Sequence, residues 1–373
     1  MTIFMIVAGP AMLVLIIVLY VLYGASRLIT RAFLVGGLRI KFRSRVTGIS
    51  SGAISIEAHP KDQLLLSLPL IGIRFNNGYA RLYGEVLRSG NVVTRQFDLI
   101  SGQLQPDILV RPNRYFYNTD PQDSHGIEFE NIWYRSDIGY LPAWFIQGRG
   151  TTWAIIVHGH SSSRAESLRL LPLLHKLGIP TLSIAYRNDN GVPSDPSGYH
   201  KFGLTEWTDL DAAVSYATNQ GAKKFILLGN SMGAGIICSF LARSDRSDQV
   251  LGCVLESPAL DLNRVIQKEA KNVRAPKFLA NIAKSIAGWR VGIQWGDLNY
   301  IVDPDSFTVP ILLIHSVADE TVPIETSDVF AASRTDIVSY LRVEDAPHSA
   351  IWNTKRDVYE GAIQQFLDRL VDA

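Results

Sequence analysis

A serine, an aspartate and a histidine stand in that chain order: Ser231 in Gly229-Asn230-Ser231-Met232-Gly233, Asp319 in Ala318-Asp319-Glu320, and His348 in Ala346-Pro347-His348. A serine hydroxyl is a weak nucleophile until a base takes its proton and a carboxylate fixes the tautomer of that base. Residue type alone does not single these three out. Gly48-Ile49-Ser50-Ser51-Gly52 is also G-x-S-x-G, so the elements carrying each serine must decide.

Apolar runs at 153–157, 180–185, 224–228, 250–255, 310–314 and 338–343 read as strands, and helical patterns at 165–177, 206–218 and 232–242 separate the first of them. Two further strands, at 131–135 and 141–146, flank a turn at Asp137-Ile138-Gly139. Near-continuous apolar strands joined by helices predict a mostly parallel sheet covered on both faces, with its site at the carboxyl ends of the strands. Ser231, Asp319 and His348 each follow such a strand. Ser50 instead sits in a Gly/Ser turn among short alternating segments, which suits a hairpin.

The glycines flanking Ser231 fit a sharp strand-to-helix turn in which bulkier side chains would clash. The backbone N–H of Met232, at the start of the following helix, and that of His160, in the loop after strand 153–157, are the expected oxyanion donors, with His160 chosen over Ser161. Asp261, Asp303 and Asp305 read as caps or surface charges, and His315, directly on a strand end, as a packed structural histidine. Trp207 and Asp209 read as the start and packing of a helix. His158-x-His160 has the spacing of a metal pair, but Ser161-Ser162-Ser163-Arg164 follow and no third ligand stands at suitable spacing, so no metal and no cofactor is expected.

These residues carry a resemblance. From about residue 132 the chain resembles the α/β-hydrolase superfamily of serine hydrolases, near its bacterial prolyl-oligopeptidase-like and BEM46-like members, through His158-Gly159, Gly229-x-Ser231-x-Gly233, Asp319 in Ala318-Asp319-Glu320-Thr321-Val322-Pro323, and His348. The resemblance implies the α/β-hydrolase fold, with the antiparallel pair at 131–146 as its first strands. It leaves the substrate open. His160 departs from the small residue often found after His-Gly.

Ahead of this region lie two others. Residues 3–23 contain no charged side chain, which is the length and character of a transmembrane helix, and Tyr20 and Tyr23 suit an interfacial belt. A cleaved signal peptide fits less well: the start has no basic residue, and tyrosine occupies the place of a small residue in Leu22-Tyr23-Gly24-Ala25. Arg27, Arg31, Arg39, Lys41, Arg43 and Arg45 follow, which predicts a single-pass protein with its catalytic domain in the cytoplasm. Residues 38–117 alternate as antiparallel strands with turns at Asn76-Asn77-Gly78 and Ser89-Gly90-Asn91, and 111–123 reads as a linker.

The expected organisation is therefore an anchor at 1–25, a β-rich accessory domain at 38–117 and a hydrolase domain at 126–373. A largely helical insertion at about 259–307 brings Trp289 and Trp295 either over a pocket or into the core. With 47 % hydrophobic and 19 % charged residues the chain is a folded protein, and a net charge of +1 gives no basic field for nucleic acid. Cys238 and Cys253, both in apolar surroundings, read as buried hydrophobes. The expected activity is cleavage of a carboxylic ester, with an amide or peptide as the alternative substrate. A catalytically silent membrane scaffold is the reading from another class.

Overall fold

The computed structural model describes residues 2–36, 41–272 and 274–371; Arg39 and the start of the expected accessory region at Leu38 lie outside them. The chain opens with a helix, α1 (Thr2–Leu28), which continues as a wide turn over Ile29–Phe33. The span Met12–Phe33 contains an 18-residue stretch whose mean hydropathy is 2.2.

Six strands follow: β1 (Ser44–Ser50), β2 (Ala53–Glu57), β3 (Ile71–Phe75), β4 (Gly78–Ser89), β5 (Val92–Ser101) and β6 (Leu109–Asn113). They close into a barrel of order β1-β2-β5-β4-β3-β6. Closure removes the sheet edges, and the inward residues of the alternating pattern, among them Val46, Ile54, Ile56, Ile73 and Leu82, form one core. Ser50 ends β1 at a two-residue hairpin, opposite Ala53, so the second G-x-S-x-G is turn chemistry. The expected linker is corrected: Arg111, Pro112 and Asn113 belong to β6 and pair with β3. Proline is tolerated there because β1 pairs only with Leu109 and Val110 of this strand.

The remaining strands are β7 (Glu130–Ser136), β8 (Gly139–Ile146), β9 (Thr152–Val157), β10 (Thr181–Ile184), β11 (Lys224–Asn230), β12 (Val250–Glu256), β13 (Ile311–Ser316) and β14 (Val338–Val343). They form one sheet of order β14-β13-β12-β11-β9-β10-β8-β7, in which only β8 runs against the rest, antiparallel to both β10 and β7. The helices are α2 (Leu171–Lys176), α3 (Trp207–Asn219), α4 (Met232–Arg243), α5 (Leu262–Asn272), α6 (Lys277–Val291), α7 (Glu325–Ser333) and α8 (Arg356–Val371). Alternate residues of one strand serve opposite faces. Phe225 and Leu227 of β11 pack toward α3 and α4, while Ile226 and Leu228 pack toward α2 and α8. Each such burial contributes about 1.5–3 kcal/mol, and burial on both faces explains why these strands read as continuous apolar runs.

Two contacts tie the parts together. The lower end of α1 presents Val21, Ala25, Ile29 and Phe33 four residues apart. Val21 and Ala25 pack on Leu279 and Ala283 of α6, whereas Ile29 and Phe33 enter the sheet core. The barrel packs on the loop after β14: Ala350 joins the barrel core, and the Asn353 amide donates to the carbonyls of Leu70 and Arg114, each at 2.8 Å. Of the two tryptophans of the insertion, Trp295 packs edge-on to Phe33 at 6.1 Å, but Trp289 is 83 % exposed and reaches neither a pocket nor the core.

Candidate active site

Ser231 lies between β11 and α4 with φ 53° and ψ −113°. Such a conformation costs a non-glycine residue about 1–3 kcal/mol and persists only where the surroundings impose it. Here they do. A Cβ on Gly233 would overlap the carbonyl oxygens of Val157 and His158, and one on Gly229 would come within 2.6 Å of Ile237 and 2.7 Å of the Ala234 nitrogen. The Ser231 N–H donates to the Glu256 carbonyl at 2.8 Å, locking the turn to β12.

The three residues expected from sequence meet. His348 Nε2 is 2.9 Å from Ser231 Oγ, and His348 Nδ1 is 2.6 Å from Asp319 Oδ2. For Nε2 to accept the serine proton, Nδ1–H must donate to the carboxylate. Asp319 is buried, and burial alone would raise its carboxyl; hydrogen bonds from His315 and His348 outweigh this and hold it well below the usual carboxylate range. Its Oδ1 accepts the N–H groups of Thr321 and Val322, both at 2.8 Å. His315 is thus more than packing. Its Nε2 lies 3.1 Å from Asp319 Oδ2 and its Nδ1 2.7 Å from Ser327 Oγ. His348 is held from behind as well: its N–H donates to Glu320, which pairs with Arg114 at 2.6 Å at the end of the barrel.

Met232 N–H heads α4, where the helix dipole favours negative charge. The other expected donor, His160, follows a loop whose position is fixed by a residue without a sequence signal. Glu166, buried in a short turn at Arg164–Arg169, accepts the Gly159 N–H at 2.9 Å and the Asn230 amide on its other oxygen. Asn230 in turn accepts from Ser349 Oγ at 2.8 Å. One carboxylate therefore joins the loop before His160, the residue before Ser231 and the residue after His348. Asn230, the neighbour of Ser231, turns its side chain into this network. Arg169 bonds Glu256 at 2.6 Å and the Ser349 carbonyl at 3.3 Å, closing the layer.

His158 stacks on Tyr186 with centroids 4.4 Å apart and bonds Asp189 at 2.7 Å. Burial opposes its charge, but the Asp189 carboxylate raises it above the usual value. The His160 ring stacks on Phe202, and burial pushes it down to about 3, helped by His200. No group of three or more metal-ligating side chains occurs among the described residues. Asp209, read as the start of a helix, is a buried partner of Arg187, at 2.8 Å. Asp261 caps α5 through the N–H of Asn263.

Residues 199–296 match the family model described as serine aminopeptidase, S33, a stretch that contains Ser231 and stops short of Asp319 and His348. Uncharacterized protein YqkD of Bacillus subtilis is 25 % identical over 229 residues, covering 59 % of this chain and 72 % of that one. Among solved structures, the Pyrococcus furiosus esterase Pf2001 superposes with a TM-score of 0.55 at 22 % identity, over 68 % of this chain and 94 % of that one. Est1E of Butyrivibrio proteoclasticus, solved with ferulic acid bound, gives 0.50 at 16 % identity, over 65 % and 100 %. By strand order and superposition the chain from β7 onward has the α/β-hydrolase fold, and the family-model match over residues 199–296 falls within it.

Proposed function

We propose that this chain is a membrane-anchored serine hydrolase that cleaves a carboxylic ester. The observation that carries the reading is the relay from Ser231 Oγ through His348 to Asp319, at 2.9 and 2.6 Å. In it Ser231 Oγ attacks the ester carbonyl while His348 Nε2 takes its proton, and the N–H groups of Met232 and His160 hold the oxyanion. Collapse breaks the acyl C–O bond, and the alcohol leaves with the proton from His348. Water, deprotonated by His348, then attacks the acyl-enzyme, and the acid and the free serine are released.

The anchor reading is supported by the apolar span Met12–Phe33, whose side chains from Met12 to Leu19 are exposed. The basic residues that follow the span favour the cytoplasm for the hydrolase. A peptidase or amidase using the same relay is favoured by the description of the matched family, serine aminopeptidase. A fluorophosphonate probe should label the protein, and Ser231→Ala should abolish both labelling and turnover. p-Nitrophenyl acyl esters run beside aminoacyl anilides separate esterase from peptidase. Folded protein that the probe does not label at Ser231 would overturn the enzyme reading.

A further inference from the structure

Ser231 and His348 open into a cavity of about 830 Å³, toward the upper end of the range for small-molecule sites. One wall comes from the sheet side of the site. The opposite wall is the lower part of α1, with Tyr20, Tyr23 and Gly24, facing Ile266, Ala270 and Ala280 of α5 and α6. A small soluble ester has no need of the anchor as a wall. α1 and α6 lie in van der Waals range here: a Cβ on Gly24 would meet that of Ala283 at an ordinary 3.5 Å.

The second observation is the outer face of α6. Phe278, Ile282 and Trp289 are 62 %, 47 % and 83 % exposed. At about 100° per residue they fall within an arc of about 40°. Lys277 and Arg290 are exposed beside them. An apolar stripe flanked by basic side chains is the pattern of a helix lying at the boundary of acyl chains and headgroups. The stripe belongs to the helix against which α1 packs through Val21 and Ala25, so the cavity and this face meet where the span leaves the bilayer.

Resting on the hydrolase and anchor readings above, we infer that the substrate is a long-chain acyl lipid drawn from the bilayer into the cavity lined by α1, α5 and α6, its acyl chain lying along the α1 wall. The bond broken is the acyl ester of that lipid, and its alcohol portion is the leaving group.

The test uses the full chain in phosphatidylcholine vesicles with p-nitrophenyl acetate, octanoate and dodecanoate. If each added methylene is buried, kcat/KM rises about three- to fourfold per methylene until the cavity is filled. Ala280→Trp is expected to lower the dodecanoate-to-acetate ratio at least tenfold; Ala270→Trp does so from the facing helix, should the first variant fold poorly. The double variant Phe278→Ser, Trp289→Ser lowers turnover of a fluorogenic diacylglycerol held in the vesicles relative to that of acetate. Acetate turnover that depends on Ser231 but shows a flat chain-length series, with the ratio unmoved by either tryptophan, overturns the lipid substrate and leaves the hydrolase standing. No turnover and no labelling of Ser231 overturns both.

Discussion

Glu166 offers a sharp test of how the site is built, because a single isosteric change must break one of its two bonds, to Gly159 or to Asn230. In Glu166→Gln one carboxylate oxygen becomes an amide nitrogen. Whichever way the amide turns, it faces a donor: the Gly159 N–H on one side or the Asn230 amide on the other. One buried hydrogen bond to a charged acceptor is lost, worth about 1.5–3 kcal/mol. The carboxylate is 3 % exposed, so water cannot replace the bond. For a domain of this size that is a fall in Tm of about 3–10 °C. The effect on catalysis comes through position. The Gly159 N–H precedes that of His160, the proposed oxyanion donor, and outright loss of such a donor costs about 2.7–4 kcal/mol. A loop that is loosened and not removed should lose a part of that, so kcat falls about 10- to 100-fold while KM changes little. Steady-state turnover of p-nitrophenyl acetate, thermal unfolding and the rate of fluorophosphonate labelling of Ser231 read the three effects. Labelling should slow in parallel with kcat, because the phosphonyl oxygen uses the same donors. A variant with lowered Tm but unchanged kcat and labelling rate would reduce Glu166 to a structural tie and refute the positioning argument.

Two further outcomes follow from the same geometry. Gly233→Ala drives a Cβ into the Val157 and His158 carbonyls and should cost about 1–3 kcal/mol along with most activity, whereas Gly235→Ala, two residues on, meets only the Phe202 carbonyl at 3.6 Å and should match or exceed the wild-type Tm; equal effects of the two would refute the close approach at the turn. His160 is held near 3 in the fold against 6.5 when unfolded, so the unfolded chain binds the proton first, and the penalty is absent above about 6.5 and grows as pH falls from there toward about 3. The Tm of His160→Phe relative to wild type should therefore rise on going from pH 7.5 to pH 5, and a constant difference would show that the ring is not held neutral.

The parts of the site legible in the sequence are those set by one strand and the turn after it. Ser231 is marked by glycines that its own backbone conformation requires. Asp319 and His348 are marked because a parallel sheet brings its strand ends to one edge whatever the intervening chain does. His315 shows where that reasoning stops. Its place at the end of β13 is visible, but only the loop Val317–Ala318 folding back brings the Asp319 carboxylate to its Nε2. Glu166 is harder still, since its partners Gly159 and Asn230 come from two other segments, and a lone glutamate in a short turn has no periodicity to betray it.

The lower end of α1 was hidden for the opposite reason, an excess of signal. A helix that is apolar all round has no polar face against which a buried stripe can stand out, so Val21, Ala25, Ile29 and Phe33 look like the rest of the span. What breaks the uniformity is the charge at Arg27 and Arg31 and the small pair Gly24-Ala25, which together mark where the helix passes from exposed to packed. Those residues lie within or beside the cavity above Ser231. The change of surroundings along α1 thus falls beside Ser231, so under the proposed anchor reading the depth of the span would set the position of the site. Had the span been joined to the hydrolase by a free tether, Ile29 and Phe33 would have no reason to be buried in the sheet core. Their burial in the same core as Tyr134 and Leu210, with Phe33 edge-on to Trp295, makes the end of α1 a part of the α/β fold.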